Sequence, residues 1–164
     1  MYIKNSKTTL FAKCNKSISD NPILFIHGFT TNNSAWNRVM SLIERNCIAV
    51  DIPGHGKSTF NDGLSEYNYK DWSIDLFLLL NKLGVKKIDI CGYSMGGRLA
   101  VAFAAEYPNM VKSLILESTR LGIENKSKKR NRIKSDNKIA SDILDDYISF
   151  INIWQGKELF KNQK

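Results

Sequence analysis

The sequence predicts an α/β fold with a mostly parallel sheet and helices on both faces. Three observations carry that expectation. Residues 23–26, 47–52, 88–92 and 111–116 are short apolar runs with the composition of strands buried on both sides. Helical patterns alternate with these runs, as a parallel sheet with crossover helices requires. A chain of 164 residues has room for one real core and not for two ordinary domains.

The elements follow in order. Residues 8–14 form a weaker strand pattern. Ser34 is placed to cap a helix carrying Trp36, Val39, Met40 and Ile43 on one face, at the spacing i, i+3, i+4, i+7. Trp72, Leu76, Leu79, Leu80 and Leu83 mark a second helix, which Gly84 stops. Residues 95–107 form a third, which Pro108 stops. After Ser118 the character changes. Residues 119–138 are polar and basic, and then Ile139, Ile143, Tyr147, Phe150 and Trp154 recur at steps of four and three, as one helix face. The division expected is a sheet-bearing region, 1–118, and a helical region, 119–164.

Composition narrows the function classes. Apolar residues make up 43% and charged residues 24%, the balance of a soluble globular protein. No apolar run approaches the ~20 residues of a membrane span, and the first residues hold no apolar secretory core. Cys14, Cys47 and Cys91 have no metal-binding spacing and no disulfide pattern, and Cys91 reads as a buried strand thiol. These features predict a cytoplasmic protein without metal or cofactor. No motif sets an oligomeric state. Residues 120–138 hold eight Lys or Arg against two acids, and so supply most of the net charge of +8. Such a run can be a solvated helix face, can neutralise a small anionic ligand, or can bind nucleic acid. No aromatic residue interleaves with it, which argues against nucleic acid.

The chemistry centres on Gly92-Tyr93-Ser94-Met95-Gly96, a G-x-S-x-G pattern between an apolar run and an Ala-rich helix. That context predicts a nucleophile elbow, a sharp strand-to-helix turn that lifts the serine hydroxyl out of the sheet. Small residues are required at Gly92 and Gly96, where a side chain would strike the neighbouring strand or helix. The start of the following helix points main-chain N–H groups at the same place, where an oxyanion could develop. Residues 26–29, Ile-His-Gly-Phe, close the first strong strand, and their loop would supply a second donor, the Phe29 N–H. A rival motif fails. Gly56-Lys57-Ser58 ends like a phosphate-binding loop, but the required first glycine is Asp51.

HGF at 27–29, DIPGHGKS at 51–58 and GYSMGGR at 92–98 together resemble the α/β-hydrolase-fold family. GYSMGGRLA, LILEST at 114–119, the R-x-x-x-D of Arg132 and Asp136, and the W-x-x-x-x-L-F of 154–160 are similar to one branch. That branch comprises the 2-succinyl-6-hydroxy-2,4-cyclohexadiene-1-carboxylate synthases of menaquinone biosynthesis. The resemblance implies a lyase that eliminates pyruvate from a succinyl-enolpyruvyl-cyclohexene carboxylate. It implies Ser94 as the catalytic serine, and Phe29 and Met95 as oxyanion donors. It also implies Tyr93, Arg98, Arg132 and Trp154 as substrate-binding residues, and 119–164 as part of a helical cap. The implied partner is a small anionic substrate rather than nucleic acid, and an anion with several carboxylates suits arginine. Where the branch commonly has Ser-Pro after EST, this chain has Arg120 and Leu121. The alternatives are a generic carboxylesterase of the same fold, which needs neither Arg98 nor Arg132, and a non-catalytic carboxylate-binding fragment.

In this fold the chain order is serine, acid, histidine. His27 and His55 are the only histidines, and both precede Ser94. Asp136, Asp142, Asp145 and Asp146 fall in cap helices and are poor candidates for the acid. The expectation is therefore a chain without the last strands of the fold, with negligible activity alone, because an unassisted serine is a weak base and nucleophile. The run 111–116 would then be an open sheet edge, with low stability or aggregation to follow.

Overall fold

A computed structural model describes residues 1–16, 21–62 and 66–158. The strands are β1 (Tyr2–Lys4), β2 (Thr8–Cys14), β3 (Ile23–Ile26), β4 (Cys47–Val50), β5 (Thr59–Phe60), β6 (Ile88–Tyr93) and β7 (Val111–Glu117). The helices are α1 (Asn37–Leu42), α2 (Tyr69–Lys82), α3 (Met95–Glu106), α4 (Lys126–Asp145) and α5 (Tyr147–Gln155). The sheet runs β1-β2-β4-β3-β6-β7, with β5 paired to β2. Its four strands β4, β3, β6 and β7 are parallel, whereas β1, β2 and β5 pair antiparallel. The short strands β1 and β5 carry no apolar run and were not expected from the sequence.

Alternation along the central strands sends side chains to both faces. Leu24, Ile26, Ile48, Val50, Ile88 and Ile90 join Trp72, Leu76, Leu79 and Leu80 of α2 and Leu99, Ala100 and Phe103 of α3 in the larger core. Phe25, Cys47 and Ala49 pack with Met40 of α1 on the other face. Helices on both faces therefore stand as expected. Helix α2 begins with a reciprocal cap, in which Asn68 accepts from Asp71 N–H and Asp71 accepts from Asn68 N–H.

Four local expectations need correction. The first helix is capped by Asn32, not Ser34, and begins as a 3-10 turn at Asn33–Trp36. Ile43 lies past its end. Asn32 is the residue with extended backbone here, and that geometry lets its side chain accept from Ser34 N–H. The 47–52 run pairs only through Val50, because Asp51 turns into a loop. The face 139–154 is not one helix, since Asp146 is extended and caps α5 through Ser149 N–H. Cys91 is half-buried rather than buried.

The chain separates into two compact units, Met1–Arg120 and Leu121–Lys164. The first holds the sheet. The second holds α4, which buries no side chain, and α5, on which Phe150 is buried and lies against the Trp154 ring. The expected open edge is visible in β7. It pairs with β6 alone among the described strands, and Ile115 in its middle is largely exposed.

Candidate functional site

Ser94 sits between β6 and α3 with φ 52 and ψ −108, a conformation that costs a non-glycine residue on the order of 1–3 kcal/mol. The surroundings hold it there. Its N–H donates to the Glu117 carbonyl at the end of β7, 2.9 Å away. Its side chain caps no helix N–H, and the residue is partly exposed.

Close approaches bring the loop after β3 onto this turn. A Cβ on Gly96 would collide with the carbonyl oxygens of Ile26 and His27. One on Gly92 would lie 2.6 Å from Gly97 Cα, so the strand–helix contact expected at both glycines is present. One on Gly28 would lie 2.8 Å from the Tyr93 ring. The first turn of α3, which carries the Met95 amide, and the loop carrying Phe29 are thus packed backbone to backbone. Thr30, next along the loop, has φ 62, unusual for a β-branched residue. Its hydroxyl donates to the Phe29 carbonyl at 2.7 Å.

Residues that the motif reading undervalued fix this loop. His27 is buried and makes bonds on both ring nitrogens. Nδ1–H donates to the Gly28 carbonyl at 2.7 Å, and Nε2 accepts from Ile52 N–H at 3.0 Å. Burial, the largest cause, lowers its pKa to about 4, so the neutral ring is the folded form. It is a brace and not a spare base. His55 is held below its ordinary pKa, also mainly by burial, and its ring meets that of Phe29 edge-on at 5.8 Å. Asp51, fully buried, accepts from Asn33 N–H at 2.6 Å, Asn33 Nδ2 at 2.8 Å and Lys57 N–H at 2.8 Å. It ties the loops after β3 and β4 together. The signal in the sequence was an acid ending an apolar run, followed by Gly54, Gly56 and Ser58.

Arg98 and Tyr93 lie in the same unit as Ser94, on α3 and at the end of β6, and both are partly exposed. Arg132 and Trp154 belong to the second unit. Arg132 Nε donates to Asp136 at 2.7 Å, so the R-x-x-x-D pattern is realised as an i, i+4 ion pair. Trp154 is partly buried, with Lys157 Nζ 3.9 Å from its ring centre. Leu159 and Phe160 of the W-x-x-x-x-L-F pattern lie outside the described residues. No group of three or more His, Cys, Asp or Glu among the described residues could hold a metal ion.

The family model for the alpha/beta hydrolase fold matches residues 21–151. This chain belongs to the α/β-hydrolase-fold family. A Bacillus subtilis relative, provisionally named a 2-succinyl-6-hydroxy-2,4-cyclohexadiene-1-carboxylate synthase, is 34% identical over 144 residues. That match covers 87% of this chain and 53% of the relative. The chloroplastic protein PHYLLO of Arabidopsis thaliana is 31% identical over 149 residues, 85% of this chain and 9% of its own length. Among solved structures, a thermophilic esterase from Thermogutta terrifontis with malate bound is 28% identical, with a TM-score of 0.71. It is matched over 87% of this chain and 53% of its own. A structure from a study of Nitrososphaera gargenis carboxylesterases has a TM-score of 0.77 at 19% identity, over 88% of this chain and 53% of its own, and supports the fold alone. This α/β-hydrolase-fold chain spans about half the length of the Bacillus relative and of both structures.

Proposed function

We propose that the chain carries the serine-bearing part of an α/β-hydrolase-fold lyase. In this reading the lyase eliminates pyruvate from a succinyl-enolpyruvyl-cyclohexene carboxylate, as in menaquinone biosynthesis. The observation that carries the reading is the strained Ser94 turn, locked against the loop of Phe29 by the close approach at Gly96. The Phe29 and Met95 N–H groups stabilise the oxyanion formed when a proton is removed alpha to a carbonyl. Arg98, Arg132, Tyr93 and Trp154 hold the carboxylates and the ring. Because His27 is committed to two main-chain bonds and no histidine follows Ser94, the acid–base pair is assigned to residues outside these 164. The second reading, a carboxylesterase, draws support from the esterase structures.

The test measures pyruvate release by the chain alone and by a fusion to the C-terminal half of the Bacillus relative. The chain alone should turn over more than about a hundredfold slower than the intact relative, since losing a triad histidine costs up to about a millionfold. The fusion should recover activity and lose it again with Ser94→Ala. Release that survives Ser94→Ala refutes the assignment. Hydrolysis of p-nitrophenyl esters by the fusion without pyruvate release selects the esterase.

A further inference from the structure

The charge of the second unit is unevenly compensated. On α4, Arg132 pairs with Asp136 and Lys138 with Asp142. Lys126, Lys128, Lys129, Arg130 and Lys134 have no carboxylate partner among the described residues. Helical spacing sets Lys126, Lys129, Arg130, Ile133 and Lys134 on one face, at i, i+3, i+4, i+7 and i+8. They crowd the end of the helix where the macrodipole is already positive, and the first turn holds no acid. A helix serving only itself would place Asp or Glu there. Since α4 buries none of its side chains, the described residues do not absorb this charge.

Apolar side chains are exposed in the same unit as the cations. Ile133 lies on the same face and is 51% exposed; Leu144, three turns on, is 86% exposed. Tyr147, Ile148 and Ile153 of α5 are also exposed. The combination selects the partner. Nucleic acid would take up the cations and leave the aliphatic groups without a role, and the cationic face of α4 carries no aromatic residue to stack on bases. A surface of anionic lipid takes both, with cations on the headgroups and aliphatic chains reaching the acyl boundary. No helix among the described residues is long and apolar enough to cross a membrane, so the contact is peripheral.

We propose that the N-terminal face of α4 docks this chain on a membrane surface rich in anionic phospholipid. The docking is independent of the chemistry at Ser94. Arg132, assigned to substrate above, lies about 60° around the helix from Lys129 and about 120° from Lys126, at the margin of the docking face.

The experiment is vesicle flotation of the full chain, with phosphatidylcholine alone or with 30% phosphatidylglycerol, at 50 and 500 mM NaCl. Binding is expected only with phosphatidylglycerol and only at low salt. Each cation near such a surface contributes about fivefold. The triple change Lys126→Glu, Lys129→Glu, Arg130→Glu should therefore lower partitioning at least about a hundredfold. Ile133→Asp should lower it about tenfold. A control of equal charge, Lys4→Glu, Lys70→Glu, Lys86→Glu, should change it less than about threefold, with circular dichroism confirming that every variant is folded. Absence of binding at 50 mM NaCl, equal binding to neutral vesicles, or an equal loss in the control overturns the proposal. Preferential binding to an RNA oligonucleotide, indifferent to Ile133→Asp, overturns it in favour of nucleic acid.

Discussion

The two units of this chain are built on opposite terms. In Met1–Arg120 the backbone is crowded around the serine turn: Gly92 and Gly96 stand where nothing larger fits, serine and threonine hold left-handed backbone, and the buried Asp51 and His27 are hydrogen-bonded through both side-chain heteroatoms. Among the described residues of Leu121–Lys164 little is crowded, and Phe150 is the one buried side chain. Side-chain charge, not packing, distinguishes that unit. The difference teaches where single residues matter. In the first unit a substitution is felt through shape; in the second it is felt through the electrostatics of a helix in water.

Matched glycines sharpen the contrast most. Gly96→Ala drives a methyl into two main-chain oxygens and should cost more than about 3 kcal/mol in urea unfolding. Gly156→Ala meets only ordinary contacts at 3.4 Å and should change stability by less than about 0.5 kcal/mol. Equal costs would break the comparison. Acid comes next. His27 titrates near 4 in the fold and near 6.5 when unfolded, so the unfolded chain binds the extra proton first. Stability should fall as pH drops from about 6.5 to 4, by on the order of 3 kcal/mol, and then stop responding to this group. Urea midpoints across that range, with and without His27→Gln, isolate the effect; a variant with an unchanged slope refutes it. Asp51→Asn leaves three donors short of a carboxylate and should cost about 2 kcal/mol, with faster hydrogen exchange at Asn33 and Lys57. The smallest effect has the opposite sign. Lys126→Glu supplies the missing acid at the start of α4 and should stabilise that helix by about 0.5 kcal/mol, read as raised helicity on warming. A loss of helicity would mean that the lysine has a partner inside the chain.

The same contrast decides what could be read in advance. The strands at 23–26 and 8–14, the three helices of the sheet-bearing region and the turn at Ser94 were legible, because burial on both faces imposes apolar runs and a tight corner imposes glycine. β1 and β5 escaped notice because antiparallel edge strands need main-chain partners more than apolar side chains. The break at Asp146 escaped because Tyr147, Phe150 and Trp154 continue the apolar spacing across it, and only the local competition of an aspartate for main-chain N–H groups reveals the stop. At the candidate site the motif pointed to Ser94, Phe29 and Met95. It missed the roles of His27 and Asp51, whose partners lie 25 and 18 residues away in the chain, where spacing alone is silent.

The hydrogen bond from Ser94 N–H to the end of β7 ties the strained serine turn to the outermost described strand of the sheet. Outer strands are the first to peel, because they are clasped from one side only. Gentle warming should therefore unlatch the serine and let its backbone relax while the interior is still intact. The posture of this serine is thus coupled to a border strand of the described sheet rather than to its centre.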